Sequence, residues 1–152
     1  MNIRDIASND YTGVDELMQQ LHKVHVKGRP DLYTDLEHPY SEKEFTELIL
    51  NPEVISILAE EDAEIVGICF ANIKNKSGMV KMRTAYIDDL VIKEEYRQKG
   101  IAKQLFGEIE RRAKSLGAER MDLMVWSFNE NACKLYESLG MTPQRFIYEK
   151  QL

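Results

Sequence analysis

The segment Tyr96-Arg97-Gln98-Lys99-Gly100-Ile101-Ala102-Lys103 constrains this chain more than any other, because of what stands on either side of it. Before it runs Ala85-Tyr86-Ile87-Asp88-Asp89-Leu90-Val91-Ile92, apolar and β-branched, which predicts a strand. After it, Ile101, Leu105, Ile109, Ala113 and Leu116 recur at intervals of three or four, which predicts one face of a helix. A glycine and a cluster of cations therefore sit where a strand becomes a helix. The first N–H groups of a helix lack intrahelical acceptors and its dipole is positive at that end, so the turn suits an anion such as a pyrophosphate. Gly100 removes a Cβ where a phosphate would approach the backbone, and the small Ala102 keeps the next turn open. Arg97, Lys99 and Lys103 add positive charge around it.

Two common phosphate-binding patterns, G-x-x-x-x-G-K-[ST] and G-x-G-x-x-G, do not occur here. What occurs is [R/Q]-x-x-G-x-[G/A], which resembles the acetyl-coenzyme A loop of the GNAT superfamily of N-acetyltransferases. A second segment, Asn129-Glu130-Asn131-Ala132-Cys133-Lys134-Leu135-Tyr136-Glu137-Ser138-Leu139-Gly140-Met141, resembles the GNAT signature N-x-x-A-x-x-[LF]-Y-x-x-x-G-[FM]. It lies downstream of a second predicted strand, Met121 to Trp126, as the family order requires. Asn129 suits the start of a short helix, and Gly140 suits the left-handed residue that ends it. Tyr136 then projects from the middle of that helix.

A length of 152 residues predicts one domain with a proper core, residues 1–152 as a single GNAT unit. The hydrophobic share of 43% and charged share of 30% are ordinary for a soluble protein. No apolar run approaches the ~18 residues of a membrane span, and no charged-then-apolar signal opens the chain. Cys69 and Cys133 show no C-x-x-C or metal spacing and read as two buried thiols of a reducing compartment, which makes the cytoplasm the expected location. The net charge of −6 argues against a nucleic-acid partner and suits a cationic substrate.

Periodicity predicts the remaining elements. Met1 to Ala7 is an opening strand, and Asp10 or Thr12 starts a helix carrying Val14, Leu17, Met18, Leu21 and Val24. Ser41-Glu42-Lys43-Glu44 is a capping box for a second helix with Phe45, Leu48 and Ile49. Val54 to Ala59 and Ile65 to Ile73 are two antiparallel strands. Lys74 to Lys81 turns into the strand ending at Ile92, and Arg145 to Lys150 is a last strand. The fold class is α/β (α+β), a mixed, mostly antiparallel central sheet flanked by helices in the order β-α-α-β-β-β-α-β-α-β. The resemblance gives the same order.

Transfer of an acetyl group to an amine needs a base and an acid, because only the neutral amine attacks the thioester and the thiolate must be protonated. Strict alternation places Tyr86, Asp88, Leu90 and Ile92 on one face of their strand and Ile87, Asp89 and Val91 on the other. Two carboxylates inside an apolar strand are costly unless one faces a cleft. The pattern Ile87 to Ile92 looks like the strand of polyamine-type acetyltransferases, where an acidic residue at the position of Asp88 serves as base, directly or through water. A structural hydrogen bond is the other reading of Asp88. Other GNAT branches place a Glu where this chain holds Tyr86 or Met124. The resemblance assigns Tyr136 as general acid, a phenol with an ordinary pKa of about 10; packing against the pantetheine is its blander role.

For the co-substrate acetyl-CoA, the resemblance implies that the backbone of Leu90, Val91 and Ile92 meets the pantetheine arm. The N–H groups of Gln98, Lys99, Gly100, Ile101, Ala102 and Lys103, beside Arg97, would hold the pyrophosphate. Asn129 would contact the pantetheine or its phosphate, and Lys134 the phosphates. His22 and His25 have metal-like spacing without further ligands, so no metal is expected. Tyr33, Tyr40 and Phe45 either line a substrate pocket or cover the core. Glu108–Arg112 and Glu110–Lys114 read as i,i+4 pairs on an outer helix face. Met121, Met124 and Trp126 read as packing, with Trp126 able to reach the cleft.

The expected function is acetyl transfer from acetyl-CoA to the primary amine of a small cationic molecule by direct attack in a ternary complex. Alternatives are a peptide lysine or N-terminal acetyltransferase, and a non-catalytic acyl-CoA-binding module. Thiol release with amines separates the module from an enzyme, and competition between peptides and polyamines separates the two enzymes. A homodimer is a possible assembly, since many GNAT proteins are dimers.

Overall fold

The computed structural model describes residues 1–152. Its elements are β1 (Asn2–Asp5), α1 (Tyr11–Gly28), α2 (Glu42–Leu50), β2 (Val54–Glu61), β3 (Glu64–Lys76), β4 (Met82–Ile92), α3 (Ile101–Ser115), β5 (Arg120–Leu123) and α4 (Glu130–Ser138). The strands form one sheet in the order β1-β2-β3-β4-β5, antiparallel from β1 to β4, with β5 parallel to β4. The parallel pair is joined through α3, because parallel neighbours need a long crossover.

Each helix forms for a local reason. The capping box at the start of α2 is present: the Glu44 N–H donates to Ser41 Oγ at 3.1 Å, and Glu44 reaches back to the Ser41 N–H. On α3 the pairs Glu108–Arg112 and Glu110–Lys114 form at 2.7 and 2.8 Å, and Glu108 also takes Arg111. The α3 stripe of Ile101, Leu105, Ile109 and Ala113 is buried against the sheet, whereas Leu116 sits just past the helix end and is exposed. The helix approaches closely because Gly67 of β3 has no side chain: a Cβ there would stand 2.9 Å from Ile92 and 3.0 Å from Leu105. Burying Leu105 and Ile109 completely contributes about 2 kcal/mol each.

The sheet separates two apolar clusters. One packs Ile57, Cys69, Ala71, Ala85 and Ile87 under α3, with Leu139 and Met141 from the end of α4 joining it. The other packs Leu58, Ile68, Phe70 and Val91 under α1 and α2, around Leu17 and Phe45. Phe45 therefore belongs to the core.

Two expected strands are corrected. The strand foreseen over Met121–Trp126 ends at Leu123; beyond it the chain leaves the β4 edge, and the Trp126 indole N–H donates to the Tyr33 hydroxyl at 2.7 Å. The strand foreseen over Arg145–Lys150 does not form, so the β-α-α-β-β-β-α-β-α-β order stops at α4. No strand of its own chain pairs with that segment, which is held instead by Arg29, bonded to both Glu149 carboxylate oxygens at 2.7 and 3.0 Å.

The β2–β3 hairpin turns on Asp62 (φ 50°) and Ala63 (φ 64°), two consecutive left-handed residues. Such a turn follows the twist of the strands but strains an alanine by about 1 kcal/mol. Ala63→Gly is expected to raise the midpoint of thermal unfolding by roughly 2–4 °C, read by calorimetry.

Candidate active site

β4 is covered on its outer edge for only part of its length. β5 pairs with it from Thr84 to Ile87, and no strand lies beside Asp88 to Ile92 on that side. On the other edge the register with β3 shifts between Phe70 and Ala71, so that Phe70 faces Asp89 while Ala71 faces Ile87. Asp88 is the extra residue of this β-bulge. The bulge reverses the alternation: Ala85 and Ile87 face α3, and beyond Asp88 it is Leu90 and Ile92 that pack that way, while Val91 joins the α1–α2 cluster. Strict alternation, which grouped Ile87 with Asp89 and Val91, is thereby corrected.

The backbone of this stretch is directional. The Lys93 N–H donates to Val66 O of β3, so the peptide groups of Lys93 and Val91 point at β3, and those of Leu90 and Ile92 point outward. The Ile92 carbonyl already accepts from Gln20 Nε2 of α1 at 2.9 Å, and Gln20 Oε1 accepts from the Glu94 N–H. Leu90 thus presents its N–H and C=O to the open edge, and Ile92 its N–H.

The edge leads into the loop before α3. Gln98 (φ 62°) and Gly100 (φ 81°) are both left-handed, which curls the loop so that successive N–H groups face one side. No protein acceptor takes the backbone N–H groups from Gln98 through Lys103. A Cβ built on Gly100 would meet no protein atom within 4 Å, so packing does not explain the glycine; its conformation and whatever approaches the loop do. Arg97, Lys99 and Lys103 are exposed and form no ion pair, in contrast to Arg111, Arg112 and Lys114 further along α3. Lys99 lies over the Tyr96 ring at 4.6 Å. The result is an electropositive, donor-only cradle suited to phosphate oxygens.

Two aspartates stand where the bulge opens. Asp88 is exposed, makes no ion pair, and is still held above the ordinary carboxylate range by partial loss of solvent, with Lys74 pulling it the other way. Asp89 was read only as its neighbour in the sequence. Burial pushes it up to about 6, although it accepts a 2.7 Å hydrogen bond from the Tyr40 hydroxyl. Tyr40 packs edge-on against Phe70 and is itself pushed up, first by burial and then by Asp89, Asp88 and Glu44. The spacing of Tyr40 and Asp89 carried no signal of their pairing, since 49 residues separate them.

Tyr136 approaches the same place from α4. Its hydroxyl is pushed up to about 12 by burial and by the neighbouring Cys69, Asp89 and Cys133. It remains a neutral proton donor at any ordinary pH. Asn129 caps α4, its Oδ1 accepting from the Ala132 N–H at 3.2 Å, and Gly140 ends the helix with φ 89°. Lys134 is exposed on the same helix and pairs with no carboxylate. The Cys133 thiol points at the Trp126 carbonyl, 4.0 Å away.

The aromatic residues of the α1–α2 connection divide. Tyr40 reaches Asp89, Phe45 enters the core, and Tyr33 joins an array with His25 (ring centroids 4.9 Å, stacked) and Trp126 (6.1 Å, edge-on). Arg29 lies 4.7 Å over Trp126. His22 bonds the Thr34 carbonyl, so both histidines are engaged locally.

Comparison with known proteins gives concordant findings. A stretch of the uncharacterized N-acetyltransferase YycN of Bacillus subtilis (strain 168) is 37% identical over 68 residues, 45% of this chain and 44% of that protein. L-ornithine N5-acetyltransferase NATA1 of Arabidopsis thaliana is 38% identical over 55 residues, 36% of this chain and 24% of that protein. The chain thus spans less than half the length of these curated relatives. A crystal structure of a mutant of the BH1408 protein from Bacillus halodurans, 28% identical, superimposes with a TM-score of 0.97 over 100% of this chain and 99% of that one. The model of the acetyltransferase (GNAT) family matches residues 17–141, which takes in the bulged strand, the donor-only loop and the helix of Tyr136. This chain belongs to the GNAT acetyltransferase family.

Proposed function

We propose that the protein transfers an acetyl group from acetyl-CoA to the primary amine of a small cationic acceptor, by direct attack within a ternary complex. The observation that carries this reading is the continuity of the open β4 edge with the row of free N–H groups from Gln98 to Lys103. Along that line Leu90 and the Ile92 N–H receive the amide-bearing arm of the donor, with Val91 anchoring the strand from behind. The loop from Gln98 to Lys103 receives the pyrophosphate, assisted by Arg97, Lys99 and Lys103. Asn129 and Lys134 border the same arm from α4.

In the proposed chemistry Asp88, open on the β4 edge, takes a proton from the ammonium of the acceptor, directly or through water. The freed amine attacks the thioester carbonyl, the C–S bond breaks as the tetrahedral intermediate expels the thiolate, Tyr136 protonates the sulfur, and the second proton shed by the acylated nitrogen returns through water to the Tyr136 phenolate. A second reading of the base has its own observation: Asp89 lies deeper, nearer Tyr136, with a pKa of about 6 that suits a base at neutral pH.

The acceptor class follows from charge. Between residues 30 and 53 stand Asp31, Asp35, Glu37, Glu42, Glu44, Glu47 and Glu53 against Lys43 alone. A surface cavity lined by Tyr40, Glu44, Glu47, Leu48 and Asn51 adjoins the Tyr40–Asp89 pair. An acidic wall raises the local concentration of cationic amines. The amine substrate in the name of the ornithine acetyltransferase is compatible with the same preference. The cytoplasm, where acetyl-CoA is made and used, is the compartment proposed.

Substitutions at four residues test this reading. Gly100→Val places a branched side chain on the donor-only face of the loop and should abolish acetyl-CoA binding by calorimetry, with the far-UV spectrum of the wild type.

Asp88→Asn should lower turnover by ~10²-fold, partly recovered at high pH where the amine is already neutral. If Asp89 is the base instead, Asp89→Asn removes the acidic limb of kcat/KM near pH 6. Asp89→Asn also has a stability signature. The folded pKa exceeds that of an unfolded aspartate, so the wild type loses stability as pH rises from about 4 through about 6, and the variant should be more stable by about 2 kcal/mol at pH 8 but not at pH 4.

Tyr136→Phe keeps the ring and deletes the donor. Turnover should fall by ~10²-fold with little change in acetyl-CoA affinity, whereas Tyr136→Ala should weaken affinity as well. A fully active Tyr136→Phe enzyme removes the acid role.

A further inference from the structure

The face of the sheet that carries α1 and α2 changes character along its length. Over Leu58, Ile68, Phe70 and Val91 it is apolar and buried. Beyond Phe70 it turns polar. Ile73, Ala85 and Met121 face α3, so alternation turns Asn72 and Lys74 of β3, Thr84 and Tyr86 of β4, and Arg120 and Asp122 of β5 to the α1–α2 side. The register sets them in two rows, Lys74 with Thr84 and Arg120, and Asn72 with Tyr86 and Asp122. Lys74 is exposed and holds its ammonium 4.0 Å over the Tyr86 ring. Its field acts on Asp88, yet the two form no ion pair. Arg145 of the tail, also exposed and unpaired, acts on Tyr86. Arg120, by contrast, is taken by Asp122 at 3.2 Å. The Thr84 hydroxyl, opposite Lys74, is buried and has no hydrogen-bond partner. From Ile65 to Ile87 the sequence holds Lys74, Lys76, Lys81 and Arg83 and no acidic residue.

We propose that Lys74, with Arg145 beside it, recognises a carboxylate on the acceptor, and that the acceptor is a dibasic amino acid rather than a plain polyamine. The inference rests on the acetyl-transfer reading above and narrows it. Asp88 and Lys74 act on each other without pairing, which leaves a gap between opposite charges that a zwitterion fills. Its side-chain amine lies at Asp88 and its carboxylate at Lys74. Tyr86, which carries Lys74 on its ring, is two residues before Asp88 on the same strand, ~7 Å away and within reach of a short aliphatic chain. An exposed cation–π contact is weak, so a carboxylate, which offers charge-assisted hydrogen bonds, draws Lys74 off the ring. The unpartnered Thr84 hydroxyl adds a donor on the same face. A dibasic amino acid keeps a net positive charge and is still attracted by the acidic α2 wall. A polyamine offers Lys74 and Arg145 nothing and meets them as like charges.

Thiol release from acetyl-CoA should show kcat/KM higher for L-ornithine and L-lysine than for putrescine and cadaverine, their decarboxylated counterparts, by ~10-fold or more, the size of one charged hydrogen bond. Lys74→Met keeps the aliphatic stem over Tyr86 and removes the charge, so the ratio of amino acid to diamine should collapse toward one. Lys74→Glu should invert it. Loss of Lys74 also shifts Asp88, but that change touches both acceptor classes alike, so the ratio isolates the carboxylate contact. A second readout is independent of turnover: the NMR signal of the Lys74 Cε methylene, shifted by the Tyr86 ring current, should move on titration with L-ornithine and stay in place with putrescine. A wild type that prefers the diamines, or a ratio that survives Lys74→Met, overturns the proposal. If none of the amines is acetylated, the acetyl-transfer reading fails, and the Lys74 signal decides this proposal separately: no movement with L-ornithine overturns it.

Discussion

The molecule depends on one edge of one strand. β4 is paired on both sides from Thr84 to Ile87 and, past the bulged Asp88, on one side only from Asp89 onward. Backbone groups left in that state inside a fold have to find partners, and a free edge is a template for whatever extended, amide-bearing chain approaches it. Everything assigned to the site stands in relation to this opening. The bulge at Asp88 stands where it begins, the loop before α3 continues it, Gln20 closes its far end by donating to the Ile92 carbonyl, and α4 brings Tyr136 to its other side.

The same opening accounts for the distribution of charge. Asp88 and Asp89 are both raised by loss of solvent, and the deeper one is stabilised only by Tyr40. Carboxylates in such a place lower the stability of the fold, a cost that structural pairing could have avoided and that proton transfer requires. At the loop the logic is reversed. Arg97, Lys99 and Lys103 are left without carboxylate partners while cations further along α3 are paired, which keeps positive charge available where donor N–H groups converge.

Much of this was legible in the sequence. The α3 stripe, the Ser41 capping box, the strand ending at Ile92 and the Asn129–Gly140 helix each follow from spacing or from a local side-chain bond, and each is in place. The bulge was not legible: alternation is read by assuming a period of two, and a single inserted residue breaks the period without changing composition. The misgrouping of Ile87 with Asp89 has that origin. The bond between Tyr40 and Asp89 joins a loop to a strand, and no spacing rule reaches so far. The segments Met124–Trp126 and Arg145–Lys150 were read as strands from their residue types, which report a local preference for extended backbone but not whether a neighbouring strand lies within reach.

The central claim is that the β4 edge and the loop following it form one continuous binding track. Amide hydrogen exchange resolved by NMR, with and without CoA, tests it most directly. Slowed exchange at the Leu90 and Ile92 amides together with those from Gln98 to Lys103 is the expected result. Protection confined to the region around Tyr33 and Trp126, with the loop amides unchanged, would contradict the account.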